Sequence, residues 1–98
     1  MYTVIWQYDV APDRASEFEA FYGSAGPWVD LFRRADGFVE TLLLRGVETP
    51  GRYITLDRWD TAAAYARFQS DRRDEYATID ASATSLTSAE RCLGSFES

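Results

Sequence analysis

The chain has no lysine, no histidine and no asparagine, and its 98 residues include a single cysteine. Each absence removes chemistry. Without lysine there is no Schiff base, and without histidine there is neither a Ser-His-type triad nor an imidazole ligand for zinc or haem iron. One cysteine, Cys92, forms no internal disulfide and no thiolate metal cluster, so a reducing, cytoplasmic setting is expected and Cys92 reads as a small buried hydrophobe. No apolar run approaches the roughly 20 residues that a bilayer span needs. The opening stretch MYTVIWQYDV has no basic region followed by an apolar run, so no signal peptide is expected. All ten basic residues are arginines, set against 16 acidic ones, for a formal net charge of -6. That sign argues against nucleic acid and anionic membrane surfaces as partners.

What is present is a large apolar and aromatic complement. Hydrophobic residues make up 46% of the chain and aromatics 15%, with three Trp, six Tyr and six Phe to be buried against a core, a partner subunit or an aromatic ligand. Disorder is not indicated. The length allows one domain, residues 1–98, and is too short for two cores. A lone chain of this size buries only roughly 60 to 70% of its unfolded surface, so oligomerisation is expected.

Periodicity supplies the elements. Tyr2, Val4, Trp6, Tyr8 and Val10 alternate with Thr3, Ile5, Gln7 and Asp9, the period of a strand. Ala15, Phe18, Phe21, Tyr22 and Ala25 recur at helical spacing, and after Gly26-Pro27 the spacing resumes at Trp28, Leu31, Phe32 and Ala35. FVETLLLR (residues 38–45) and RYITLDRW (52–59) form a hairpin across the turn GVETPG. Asp60 is the expected N-cap of the helix TAAAYARFQ, a further helix carries Tyr76, Ile79, Ala83 and Leu86, and ERCLGSFE closes the chain as a fourth strand.

This order predicts an α+β fold of ferredoxin-like type, a four-stranded antiparallel sheet with helices on one face. The second strand places Phe38, Leu42 and Leu44 on one side and Val39 and Leu43 on the other, so both sheet faces read as buried. One chain's helices cover only one of them. A homodimer, packed through the other face, is predicted.

The stretch ADGFVETLLLRGVETPGRYITLDRWDTAAAY resembles the antibiotic biosynthesis monooxygenase family, in which a Gly-Phe opens strand two, a Leu-Arg closes it and a Trp ends strand three. EFEAFY and LGSFE extend the resemblance over nearly the whole chain. It implies a dimeric α+β barrel with a pocket between each sheet and its helices. Relatives include cofactor-free oxygenases of polyphenolic polyketides, quinol oxidases, haem-degrading enzymes and proteins with no known activity.

Residue by residue, Trp59 matches the family tryptophan and Tyr65 a tyrosine of the polyketide-oxidising members. The oxygenase pattern has Asn four residues before the Trp, where this chain has Thr55. Haem-degrading relatives place a histidine about ten residues after the Trp and an asparagine late in strand one; those positions hold Gln69 and Gln7. An amide does not replace imidazole as an axial iron ligand, which argues against haem degradation.

The function expected from the resemblance is cofactor-independent oxygenation of a quinol-like or polycyclic phenolic molecule, with no cofactor and no metal. The substrate supplies the electrons, and the protein binds it in an apolar, aromatic-lined pocket, removes a proton and excludes water. Trp59, Tyr65 and Phe68 are candidates for the wall, and Asp57 and Tyr65 for proton transfer. Arg72 or Arg73 is a candidate for stabilising the anion, with Gln7, Thr55 and Gln69 as further ligand contacts.

Each has a plainer reading: Trp59, Tyr65 and Phe68 as core packing, Asp57 as a cross-strand partner of Arg45, and Asp71 to Glu75 as a solvated helix start. A non-catalytic binding or accessory domain is therefore the alternative. An open cavity lined by Trp59 and Tyr65 favours ligand chemistry, and close packing around both favours a structural role.

Overall fold

The computed structural model describes residues 1–98. Its elements are β1 (Tyr2–Asp9), α1 (Ala15–Tyr22), α2 (Pro27–Phe32), β2 (Phe38–Arg45), β3 (Arg52–Trp59), α3 (Ala62–Asp71), α4 (Arg73–Ala83) and β4 (Ala89–Glu97), with single 3-10 turns before α1 and after α4. The strands form one antiparallel sheet in the order β2-β3-β1-β4, and the helices pack on one face of it.

Strand β3 shows most clearly why the sheet sits as it does. Its residues alternate between half-buried and buried along the whole length, with Tyr53, Thr55, Asp57 and Trp59 all turned inward. In β1 the inward residues opposite them are Tyr2, Val4, Trp6 and Tyr8. The helices close over this face with rings: Phe18 of α1 stacks on Tyr22 at 4.3 Å between centroids and meets Tyr53 at 4.7 Å.

The break between α1 and α2 has a steric cause. A Cβ on Gly26 would lie 2.2 Å from the carbonyl oxygen of Phe21, so only glycine fits, and Pro27 then starts α2 where its missing N–H costs nothing. Helix α1 accordingly ends at Tyr22, three residues before the sequence pattern suggested.

Three other expectations need correction. The N-cap of α3 is Thr61, whose hydroxyl accepts from Ala64 N–H at 3.1 Å; the Asp60 N–H instead donates to the Gly37 carbonyl at 2.7 Å, which ties Asp60 to the end of the sheet. The alternation assumed for β2 fails at its start, because the pairing with β3 shifts between Phe38 and Glu40. This bulge puts Phe38 on the same side as Thr41 and Leu43, against the core, and leaves Leu42 and Leu44 on the other side, 41% and 49% exposed. Cys92, read as buried, is exposed, because it lies on β4, an edge strand that the helices cover least.

Val39, Leu42, Leu44, Leu93 and Phe96 are thus exposed in the single chain. No helix is long and apolar enough to cross a membrane.

Candidate functional site

Between the middle of the sheet and helices α1, α2 and α4 lies a cavity of about 40 Å³. Trp6 and Tyr8 of β1 and Thr55 and Asp57 of β3 make its floor, with Thr41 of β2 beside them. Tyr22, Trp28, Phe32 and Tyr76 roof it, and Asp80 of α4 and Glu90 of β4 stand at its rim. The edge of Trp28 meets Tyr76 at 4.8 Å between centroids, which joins α2 to α4 over the space.

Asp57 is the chemically distinctive group. It is 9% exposed, and one carboxylate oxygen accepts from the Thr41 hydroxyl at 2.8 Å. Burial disfavours its charged form and pushes its pKa up to about 6, against the opposing pull of the Thr41 hydrogen bond. The expected pairing with Arg45 does not occur: the register sets Thr41 across from Asp57 and Arg45 across from Tyr53.

The tyrosines of the cavity are held neutral. Burial raises Tyr22 and Tyr76 to about 12 each, and raises Tyr8 further still. They are hydrogen-bonding phenols at neutral pH and not bases. Glu90 is also raised, first by burial and then by the neighbouring Asp80 carboxylate.

Of the residues singled out in the sequence, Asp57 and Thr55 line this cavity. Trp59, Tyr65 and Phe68 do not. Trp59 is fully buried in a second aromatic cluster, with Phe68 at 5.1 Å, Phe38 at 5.3 Å, Tyr65 at 5.4 Å and Phe32 at 5.8 Å between centroids. Its indole N–H has no hydrogen-bond partner. The Tyr65 hydroxyl accepts from Gln69 at 3.0 Å, and burial raises the Tyr65 pKa, so this phenol does not serve as a base at neutral pH.

Gln69 is exposed on α3. Arg72 is turned to Glu75, at 2.9 Å, and no arginine, Arg73 included, reaches the cavity. Gln7 pairs with Ile54 on the sheet face away from the helices, as its strand parity requires. Trp6, Tyr8, Tyr22, Trp28, Phe32, Thr41, Tyr76, Asp80 and Glu90 were not singled out. Two signals for them exist in the sequence: Trp6 and Tyr8 share a strand face, and Tyr76 and Asp80 are four apart on one helix.

The architecture defines a ferredoxin-like α+β protein whose pocket lies between sheet and helices. The profile of the antibiotic biosynthesis monooxygenase family matches residues 1–78, and the chain belongs to that family. No curated protein matches it in sequence.

Among solved structures, it is similar to a variant of SnoaB, a cofactor-independent oxygenase from Streptomyces nogalater (TM-score 0.78, 20% identity, 99% of this chain and 91% of that one). It is also similar to a putative antibiotic biosynthesis monooxygenase from Deinococcus radiodurans (TM-score 0.79, 13% identity, 100% and 92%). A third likeness is to one from Bordetella bronchiseptica (TM-score 0.74, 20% identity, 99% and 95%). At these identities the likeness speaks to the fold.

Proposed function

We propose that this chain is a cofactor-independent monooxygenase of small phenolic or quinol-like molecules, with Asp57 as the base that takes the substrate proton. The observation that carries this reading is a buried carboxylate on the floor of an aromatic-lined cavity, with a pKa of about 6. A base is most effective when its pKa lies near the working pH, and Asp57 is ionised at pH 7 while remaining basic enough to accept a proton.

For an anthrone-like substrate the balance is simple. Asp57 removes a proton from the ring carbon, and the electron-rich anion reduces dioxygen to a carbon-bound peroxide. Loss of water then leaves the carbonyl. One oxygen atom ends in the product and the other in water, and the proton on Asp57 is returned. Family membership and the SnoaB fold support the reaction class.

The cavity's 40 Å³ holds on the order of one to three water molecules. An aromatic ring therefore enters by displacing the rim, where Tyr76 is half-buried and Asp80 and Glu90 are exposed.

The test is oxygen uptake with a panel of hydroquinones, phenols and anthrones, comparing the protein with Asp57→Asn. Uptake that depends on the protein and falls at least ~100-fold in the variant is the expected result. Absence of uptake across the panel would sink the reaction. A second reading, a binding domain without chemistry, is favoured by the close packing around Trp59 and Tyr65. Ligand binding without oxygen uptake would select it.

The same proposal includes a homodimer in solution. Leu42, Leu44 and Phe96 leave an exposed apolar surface on the outer sheet face, of the kind a second copy covers. Sedimentation at micromolar concentration is expected to give twice the chain mass of 11.1 kDa, and a stable monomer would refute it.

A further inference from the structure

The cavity carries three carboxylates, Asp57 on the floor and Asp80 and Glu90 at the rim, and none of the chain's ten arginines lines it. The arginines that do form ion pairs are spent elsewhere: Arg14 on Glu17, Arg34 on Asp30 and Glu75, Arg52 on Asp9, Arg58 on Glu40 and Arg72 on Glu75. Asp80 and Glu90 have no ion-pair partner, and each raises the cost of charge on its neighbours: Asp80 lifts the Glu90 pKa. Both also border an adjoining cleft beside Ala83 and Ser88, so they are reachable from solvent.

Two features beyond this charge point to a ligand. Asp57 is nine-tenths buried and faces the cavity, and while Thr41 holds one of its carboxylate oxygens, no protein donor reaches the other. The walls, moreover, are rings, Trp6, Tyr22, Trp28 and Tyr76, whose negative faces attract a cation.

A substrate anion formed beside Asp57 meets three carboxylates and only neutral donors, the phenols, hydroxyls and Trp28 indole N–H of the lining, with no positive group, where oxygen chemistry on an anion calls for one. A ligand that brings its own cation removes the conflict.

On the reading that this cavity binds a phenolic ring, we infer that its ligand also carries an ammonium group, with the ring toward Asp57 and the cation at the rim between Asp80 and Glu90. The compound class is an aryl-alkyl amine, with ring and ammonium at opposite ends of the molecule because Asp57 is buried and Asp80 and Glu90 are exposed.

Three probes share one ring and differ in charge: tyramine is a cation, 4-ethylphenol is neutral and 3-(4-hydroxyphenyl)propionate is an anion. Their binding to the full chain at pH 7.5 is read from tryptophan fluorescence, since Trp6 and Trp28 line the cavity. Tyramine is expected to bind roughly tenfold more tightly than 4-ethylphenol, and the carboxylate most weakly.

In the double variant Asp80→Asn/Glu90→Gln, whose two sites are exposed and whose fold is checked by circular dichroism, the tyramine preference is expected to fall to about one. If 4-ethylphenol binds as tightly as tyramine, or the preference survives in the double variant, this inference fails while the phenol site stands. Binding of none of the three overturns both.

Discussion

Two inward positions on β3, only two residues apart, end in opposite environments. Trp59 is fully buried among four rings, whereas Asp57 lines a cavity. Phe32 belongs to both, touching Trp59 and roofing the cavity, and so acts as the wall between them. Strand parity delivers a side chain to the inner face, but the helix lying above it decides what it meets. The closed cluster contributes stability, and the open cavity gives some up to keep a buried carboxylate.

The largest expected effect breaks the closed side. Trp59→Ala is expected to destabilise the fold by about 3 to 5 kcal/mol, measured by denaturant unfolding. Trp59→Phe sharpens the point: kcat should stay within about threefold, and a loss of ~100-fold would bring Trp59 into the site after all.

On the cavity side the sign reverses. Asp57 has a folded pKa of about 6, above its ordinary value of 3.8, so the stability linked to its protonation is fully present below the ordinary value and is lost as pH rises through about 6. A shift of about two units is worth roughly 3 kcal/mol. Asp57→Asn should therefore be about that much more stable than the parent at pH 7.5 and no more stable at pH 3.5, while losing turnover. Thermal melts at both pH values check it, and equal gains at both would refute the assignment.

Activity in the parent protein is expected to rise with pH through about 6, because the ionised carboxylate is the base. A flat profile from pH 5 to 7.5 would count against Asp57. The smallest effect comes from Thr41→Val, which removes the hydrogen bond that favours the carboxylate. It should cost about 1 kcal/mol and move the acid limb of the activity profile to higher pH. A shift toward lower pH would contradict the geometry.

The elements were legible because their signals are local. The burial alternation along β3 follows the period of two in RYITLDRW, and α2 starts at Pro27, where the Gly26-Pro27 signal placed the resumption of the helix, although α1 ends earlier, at Tyr22. The errors occurred where a neighbour intervenes. The bulge between Phe38 and Glu40 depends on pairing with β3, so Leu42 and Leu44 looked like partners of Phe38 and are not. Asp60 looked like a cap, but α3 starts at Ala62, one residue later than expected, so the Thr61 hydroxyl caps it.

For the site, Asp57 and Thr55 were legible as inward residues of β3 near the family tryptophan. The roof was not, because Tyr22, Trp28 and Tyr76 lie 19 to 35 residues from Asp57 in the chain, and nothing local states which rings meet across the sheet.

By itself, the sequence determined the strand and helix order, the acidic character, the absence of lysine and histidine chemistry, and the family. These follow from short-range periodicity and from side-chain inventory, which need no third dimension. Only the tertiary structure decided that Trp59 is sealed while Asp57 is open, that no arginine reaches the cavity, and that Asp80 and Glu90 stand at its rim. The physical reason is that burial and charge environment are set by which elements pack together, and those contacts join residues that are distant in the chain.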